Sequence, residues 1–174
     1  LILLIAKMRL MMEKIKWGVI STADIGLDSV IPGIKKSDNG IIQAIASRSL
    51  EKAESAADKL DIPDTYGTYN EIINNEEIDA IYIPLPNHLH VEYSIQALKA
   101  GKHVLSEKPI GLSAKEAQKL KQESEKHPEL KCMEAFMYRH HPQWQKTKDI
   151  IQKGGIGELK TIQSEFSFFN RDES

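Results

Sequence analysis

The sequence predicts an α/β fold, in which a doubly wound parallel sheet is followed by the beginning of a second domain. From Lys14 to Phe136, short apolar runs typical of buried strands alternate with amphipathic helical patterns. Such β-α-β repetition builds a parallel sheet with helices on both faces. After Met137 the pattern changes, because Leu159 to Phe169 alternates polar and apolar residues with a period of two.

The strands of the first domain are predicted from buried apolar runs, and the helices from apolar residues at helical spacing. The predicted strands are Ile15–Ile20, Ile41–Ala46, Ala80–Ile83, Lys102–Leu105 and Lys131–Phe136. The predicted helices are Ala23–Lys36, Leu50–Leu60, the short turn Tyr69–Asn74, Asn87–Ala100 and Ser113–Lys126. Ser49 and Asn87 are candidate N-caps, Gly101 should end its helix, and Pro32 should kink or split the first helix.

The domain boundaries follow from where these patterns begin and stop. The apolar run Leu1–Ala6 is too short to span a bilayer, and its positive charges come after it, unlike those of a signal peptide. We therefore expect residues 1–12 to be a tail outside the fold and residues 13–136 to form the first domain. Residues 137–174 would contain a helix over Gln143–Lys153 and the alternating strand. That strand has no partner in what remains, so we expect a truncated second domain.

Composition excludes several classes of partner. The chain has 174 residues, of which 41% are apolar and 28% charged, as in soluble globular proteins. Lys and Arg number 23 against 25 Asp and Glu, for a formal charge of −2. This leaves no basic field for nucleic acid and no basic amphipathic segment for a membrane surface. Cys132 is the only cysteine, which excludes an internal disulfide and fits a reducing, cytoplasmic setting.

The turn after the first strand has the logic of a dinucleotide site. Ser21, Ala23 and Gly26 stand where a pyrophosphate-binding turn reads G-x-G-x-x-G. Small residues let the backbone approach a pyrophosphate, and the N–H groups of the following helix point at it. The Asp24 side chain would have to point away from the phosphates. The alternative is a tight strand-to-helix turn that binds no ligand.

The residues after the second strand favour NADP(H) over NAD(H). A carboxylate commonly stands there to bind the ribose 2′-hydroxyl of NAD, and this chain has none. Ser47 and Arg48 instead offer a hydroxyl and a guanidinium, which suit a 2′-phosphate. The alternative is a solvent-exposed arginine beside a helix cap.

A lysine and a carboxylate follow the strand that ends at Leu105. In Ser106-Glu107-Lys108-Pro109 they lie at the carboxyl end of a predicted parallel strand, where open α/β sheets bind ligands. A lysine beside a carboxylate can hold, donate or accept a proton during redox chemistry at a carbinol carbon. The alternative is a surface loop with a local ion pair.

Five segments of the chain together form a recognisable pattern. They are Trp17–Gly26, Ala46–Ser49, Ile81–His90, Gly101–Pro109 and Ala135–Pro142. In this order they resemble the Gfo/Idh/MocA oxidoreductases, and the similarity runs from about Lys14 to Phe169. Among these, the chain looks most similar to NADP-dependent dihydrodiol and D-xylose dehydrogenases. The resemblance implies a Rossmann-type first domain followed by the start of an α+β domain with an open-faced sheet.

The resemblance also implies roles for individual residues. Those lining the pyrophosphate turn would be Ser21, Thr22, Ala23, Asp24 and Ile25, with Ser47 and Arg48 at the 2′-phosphate. Those bordering the ribose and nicotinamide would be Ile83, Pro84, Leu85, Asn87 and His90. Glu107 and Lys108 would sit by the nicotinamide ribose as catalytic and cofactor-binding residues, with Lys108 facing the substrate hydroxyl. Pro109 would shape that turn, in many members through a cis bond. Tyr138, as a further catalytic residue, and Arg139, as a cofactor contact, would lie where the two domains meet.

The implied function is hydride transfer between NADP(H), or NAD(H), and a hydroxyl or carbonyl carbon of a sugar or cyclic diol. A second catalytic His or Tyr would lie beyond Ser174, and the full-length protein would be a homo-oligomer. The 174-residue chain alone would bind cofactor and turn over poorly. The alternative is a non-catalytic dinucleotide-binding or interaction module.

Some of the named residues also have simpler interpretations. His90 could be an ordinary helix-face histidine and Tyr138 a core residue. The adjacent pair His140-His141 predicts no metal site, because neighbours in an extended segment point opposite ways.

Overall fold

A computed structural model describes residues 14–167 of the chain. It divides into two compact units between Ala135 and Phe136. The predicted tail at residues 1–12 lies outside the described residues, so that expectation stays a prediction. The division of the chain into domains at residue 136 likewise stays a prediction about the whole protein.

The first unit contains a parallel sheet of six strands in the order β3-β2-β1-β4-β5-β6. The strands are β1 (Ile15–Ile20), β2 (Gly40–Ala46), β3 (Asp64–Tyr66), β4 (Ala80–Ile83), β5 (His103–Ser106) and β6 (Cys132–Glu134). The order reverses between β1 and β4, which is the topological switch point where doubly wound sheets bind ligands. The predicted α/β architecture is confirmed.

Within residues 14–135, five α-helices connect these strands. They are α1 (Ile31–Lys35), α2 (Leu50–Leu60), α3 (Tyr69–Ile73), α4 (His90–Lys99) and α5 (Ala114–Ser124). The Ser49 side chain accepts from the Lys52 N–H at the start of α2, as predicted. Gly101 follows the end of α4 with a φ of +76°, a conformation that glycine adopts without strain.

Pro32 divides the first helical segment, as expected. A π-type turn over Gly26–Val30 precedes α1, and the Ile31 N–H donates to the Gly26 carbonyl five residues back. Proline lacks an N–H, and its ring clashes with the carbonyl four residues earlier. The wider turn accommodates this defect without ending the helical path.

One strand was missed, and two expectations from the sequence were wrong. The short strand β3 was missed, because three half-buried residues carry too little periodicity to stand out. Asn87 does not cap a helix with its side chain but begins a 3₁₀ turn over Asn87–Leu89 that leads into α4. Residues 159–167, the described part of the predicted alternating strand, form no strand. A strand needs a hydrogen-bonded neighbour, and none is present in the part of the chain that the structure describes.

The core lies on both faces of the sheet because alternate residues of a strand point to opposite sides. Val19 and Tyr82 pack with α1 and α2 on one face, while Ile20 and Ile81 pack with α3 to α5 on the other. All four side chains are fully buried. This two-sided burial is why the central strands are mostly apolar along their length.

The second unit, as far as it is described, consists of a 3₁₀ turn over Met137–His140 and the helix α6 (Pro142–Gln152). Gly154 follows α6 with a φ of +72°. Large apolar side chains remain exposed in this unit, among them Ile162 and Phe166. No helix in residues 14–167 combines the length and apolar character needed to cross a membrane.

Candidate functional site

The carboxyl ends of the parallel strands meet along one edge of the sheet, and backbone hydrogen bonds join the segments that leave them. The Ser21 N–H donates to the Ala46 carbonyl at 2.9 Å, and the Glu107 N–H donates to the Ile83 carbonyl at 3.1 Å. The turns after β1, β2, β4 and β5 are thereby brought to one edge of the sheet. This is the side where the sequence predicted the site.

The turn after β1 is tight and starts with a strained residue. Ser21 has a φ of 139°, a region that glycine adopts freely and other residues rarely do. Its Oγ accepts from the Ala23 N–H at 3.1 Å, which stabilises that conformation. Serine thus takes the backbone conformation that the first glycine of a dinucleotide-binding turn supplies. Thr22 and Ala23 are half-buried, whereas Asp24 and Ile25 are exposed.

Gly26 lets the helical segment approach β4 closely. A Cβ atom built there would lie 3.4 Å from both Tyr82 Cε1 and Pro84 Cγ. Close packing of helix and strand is the role of the third glycine in the dinucleotide fingerprint. The first turn of a helix also leaves N–H groups without intrahelical partners, which suits an anion.

The end of β2 places Arg48 beside an open cleft of about 270 Å³. Ser47 is buried and its Oγ accepts from the Ser49 N–H at 3.3 Å, while Arg48 is exposed. The cleft is lined by Arg48, Gly67, Thr68, Tyr69, Asn70 and Tyr93. Burial raises the pKa of Tyr69, and the charge of the neighbouring Arg48 partly offsets that rise.

A capping motif at the start of α3 holds the part of this cleft that Thr68 and Tyr69 line. Thr68 and Glu71 form a reciprocal capping box at the start of α3, with each side chain accepting from the other residue's backbone N–H. The cap orients Tyr69, whose ring meets that of Tyr93 edge-on at 5.3 Å. The Arg48 guanidinium and the Tyr69 side chain therefore line the same open cleft at the end of β2.

The segment after β4 is buried where it leaves the sheet. Ile83, Pro84 and Leu85 are buried, whereas Asn87 is exposed. His90 has 0% exposure, and its two ring nitrogens contact the carbonyl oxygens of Leu85 and Pro109 at 2.7 and 2.6 Å. Its side chain is thus turned into the protein, between the segments that follow β4 and β5.

The turn after β5 exposes Lys108 and buries Glu107. The Glu107 carboxylate accepts from the Tyr82 hydroxyl at 2.8 Å and from the Lys108 backbone N–H at 3.3 Å. The Lys108–Pro109 bond is cis, as the resemblance implied. The Lys108 side chain is exposed, so its ammonium is accessible at the carboxyl end of β5. Lysine and glutamate are adjacent in sequence, but only the lysine faces solvent.

Two residues that hold this turn were missed from the sequence. Tyr82 lies in the apolar run of β4, and Glu134 ends β6, where its carboxylate accepts from the Ile110 N–H at 2.7 Å. A tyrosine inside a buried strand signals that its hydroxyl needs a partner, which would have been the clue to Tyr82. Glu134 carried no such signal, because only the tertiary fold brings it to Ile110.

Tyr138 and Arg139 belong to the second unit and lie in its 3₁₀ turn. Tyr138 is 53% exposed, so it is not a core residue of the described unit. Its ring centroid lies 5.7 Å from that of Phe136 and 6.3 Å from that of Trp144. Tyr138 and Arg139 also line an open cleft of about 730 Å³ along α6. Their predicted position at a domain junction stays a prediction.

No cluster of three or more metal-ligating side chains occurs within residues 14–167. His141 instead has a local role, since its Nδ1 accepts from the Gln143 N–H at the start of α6. The edge of the sheet presents backbone N–H groups after β1, the Arg48 guanidinium after β2 and the Lys108 ammonium after β5. The first two are donors of the kind that bind phosphate groups rather than a metal ion.

Comparison with known proteins agrees with this geometry. Residues 15–136 match the family model described as "Oxidoreductase family, NAD-binding Rossmann fold", GFO_IDH_MocA. The chain is 40% identical over 152 residues to a D-xylose 1-dehydrogenase (NADP(+)) of Haloferax volcanii, covering 87% of this chain and 46% of that protein. It is 33% identical over 153 residues to a trans-1,2-dihydrobenzene-1,2-diol dehydrogenase of Xenopus tropicalis, with coverage of 87% and 46%.

A solved structure gives the same result. The fold matches a 3-ketoreductase from Actinomadura kijaniata, in complex with TDP-benzene and NADP, with a TM-score of 0.76 and 35% identity. The match covers 84% of this chain and 46% of that one. The chain therefore spans about half the length of the relatives it matches. The expected resemblance to xylose and dihydrodiol dehydrogenases is confirmed.

Proposed function

The chain belongs to the Gfo/Idh/MocA family of oxidoreductases, and we propose that it forms the dinucleotide-binding part of an NADP-dependent enzyme that acts on a sugar or cyclic diol. The observation that carries the proposal is the turn after β5, which presents Lys108 to solvent and turns Glu107 inward. Because the chain spans 46% of these relatives, the activity belongs to the full-length protein, which we expect to be a homo-oligomer.

The cofactor is proposed to be NADP(H), which when bound would supply the hydride chemistry. The turn Ser21–Gly26 would hold the pyrophosphate with backbone N–H groups at the start of the helical segment. Ser47 and Arg48 would meet the 2′-phosphate, since none of the residues 47–50 directly after β2 is a carboxylate that could select NAD(H). The relatives support this choice, because one is named for NADP(+) and another was solved with NADP.

Lys108 is proposed to act on the substrate. Its ammonium would donate to the substrate hydroxyl and favour the alkoxide that develops there. The buried Glu107 would act on the turn rather than on the substrate, because its two oxygens are engaged by Tyr82 and the Lys108 N–H. Leu85 and Pro109 would border the nicotinamide half of the cofactor from the ends of β4 and β5.

The first test is calorimetric titration of the 174-residue chain with NADP+ and with NAD+. We expect a clear preference for NADP+, and we expect Arg48→Ala to weaken NADP+ binding about tenfold or more while sparing NAD+. The expected weakening of NADP+ binding follows from the loss of a charge-assisted hydrogen bond, which contributes about 1.5–3 kcal/mol. Lys52→Ala is the matched control, since it removes an exposed positive charge in the first turn of α2, the helix that Arg48 precedes.

Equal weakening of NADP+ and NAD+ by Arg48→Ala would remove Arg48 from the 2′-phosphate site. Binding of neither dinucleotide to the folded chain would contradict the proposal as a whole. Binding without any turnover by the full-length protein would favour the non-catalytic alternative.

A further inference from the structure

His90 connects the two segments that would flank the nicotinamide half of the cofactor. It is the first residue of α4 and is fully buried. One ring nitrogen contacts the carbonyl of Leu85, after β4, and the other contacts the carbonyl of Pro109, after β5. A single side chain thus spans the ends of two neighbouring strands.

Both contacts are to acceptors, so the ring must act as a donor. A carbonyl oxygen only accepts, whereas each protonated ring nitrogen of histidine donates. In either neutral tautomer the ring donates to one of the two carbonyls, and when protonated at both nitrogens it donates to both. In every protonation state His90 therefore ties at least one of these segments to the start of α4.

The turn that His90 contacts is fixed at other points as well. Glu107 is anchored by Tyr82, and the Ile110 N–H by Glu134. His90 supplies the contact to the carbonyl of Pro109 itself, the residue next to Lys108. The backbone on both sides of Lys108 is therefore held by buried side chains, while the lysine side chain is exposed.

We propose that His90 is a positioning residue that sets the distance between the Leu85 segment and the Lys108 turn. It does so by donating to at least one of the Leu85 and Pro109 carbonyls and contacting the other, without touching cofactor or substrate. The proposal rests on the proposed dinucleotide site. It assigns His90 to the nicotinamide half of that site and leaves the adenosine half, at Arg48, independent of it.

The test compares two ligands on three variants of the 174-residue chain. His90→Phe keeps a flat ring and removes both donors, whereas His90→Gln keeps one amide donor. His88→Phe is the matched control, because His88 is exposed in the 3₁₀ turn two residues earlier. The probes are NADPH and adenosine 2′,5′-bisphosphate, which carries only the adenosine half.

We expect His90→Phe to raise the Kd for NADPH about tenfold, because the loss of roughly one hydrogen bond would leave the Lys108 turn less well positioned. The Kd for the bisphosphate should stay within about twofold, since a merely global loosening would affect both ligands. His90→Gln should fall between wild type and His90→Phe, and His88→Phe should change neither Kd.

A second measurement does not depend on any ligand. Amide hydrogen exchange should become faster at Lys108 and Ile110 in His90→Phe, while the amides of β1 exchange as in wild type. If His90→Phe does not fold, His90→Gln gives the same comparison with a smaller effect.

Several results would overturn the proposal. These are an equal loss of affinity for both ligands, unchanged affinity for NADPH, and unchanged exchange at Lys108 and Ile110. If the wild-type chain binds neither ligand, the proposed function fails, and the exchange data alone then decide whether His90 fixes the turn.

Discussion

The Tyr82 hydroxyl donates to Glu107 Oε1 at 2.8 Å, and both side chains are buried at the ends of the neighbouring strands β4 and β5. This bond turns the carboxylate away from solvent and leaves Lys108 as the accessible charge of the turn. Burial is the main cause that raises the pKa of Tyr82, and the bond to Glu107 raises it further. The tyrosine therefore stays protonated and continues to donate.

Tyr82→Phe should destabilise the chain by about 1.5–3 kcal/mol, because Oε1 of the buried Glu107 carboxylate loses its donor while only Oε2 keeps one, from the Lys108 N–H. The free energy of unfolding in urea at pH 7 measures the loss. Tyr93→Phe is the control, since it removes a hydroxyl from a half-buried ring and keeps the aromatic contact with Tyr69. Equal effects of the two substitutions would contradict the importance of the Tyr82–Glu107 bond.

Alkaline pH should weaken the fold through the same tyrosine. The folded-state pKa of Tyr82 lies above its unfolded value of 10.0, so the unfolded chain loses the proton first. The contribution to stability is full below about pH 10 and decreases as the pH rises above it. Urea unfolding at pH 8.5 and 10.5 should show this decrease in wild type and a smaller one in Tyr82→Phe. The same slope in both proteins would exclude Tyr82 as the group responsible.

Two glycines should respond in opposite ways to alanine. A Cβ at Gly18 in β1 would lie 3.0 Å from Ile72 Cδ1 and Cγ1, so Gly18→Ala should cost about 1–3 kcal/mol through overpacking. A Cβ at Gly33 in α1 would meet nothing within 4 Å, so Gly33→Ala should stabilise by about 0.5–1 kcal/mol. Thermal or urea unfolding checks both. A neutral Gly18→Ala would mean that Ile72 moves aside without cost.

Cys132 should react slowly with thiol reagents in the folded chain. Burial raises the pKa of its thiol to about 11, so little thiolate is present at pH 8. We expect alkylation by iodoacetamide at pH 8 to be about a hundredfold slower than in the urea-unfolded chain, which is the internal control. Comparable rates in both states would show that β6 opens readily.

Lys108 should matter for turnover and hardly for the fold. Its side chain is exposed, so Lys108→Met should change the free energy of unfolding by less than about 0.5 kcal/mol. In the full-length protein the same substitution should lower kcat by about a hundredfold or more, if the ammonium stabilises a developing alkoxide. Lys115→Met, which removes another exposed lysine, is the control. Unchanged turnover in Lys108→Met would remove Lys108 from the mechanism.

Much of the fold was predictable because its signals are local. The strands β1, β2 and β4 are mostly apolar, the helix α2 begins at a serine cap, and Pro32 marks the break in the first helical segment. Where the signal was weak or nonlocal, the prediction failed. The three residues of β3 have no periodicity of their own, and the period of two in residues 159–167 did not produce a strand without a neighbour to pair with.

The sequence by itself determined the order of strands and helices in the first unit apart from β3. It also determined the small residues of the turn after β1, Arg48 after β2 and the pair Glu107-Lys108 after β5. These are properties of neighbouring residues, and chain order places them at one edge of a parallel sheet. Only the tertiary structure decided which of the paired charges faces solvent and which residues hold them. Tyr82 reaches Glu107 across 25 positions, and Glu134 reaches Ile110 across 24. Such contacts depend on strand register and burial, which no local pattern specifies.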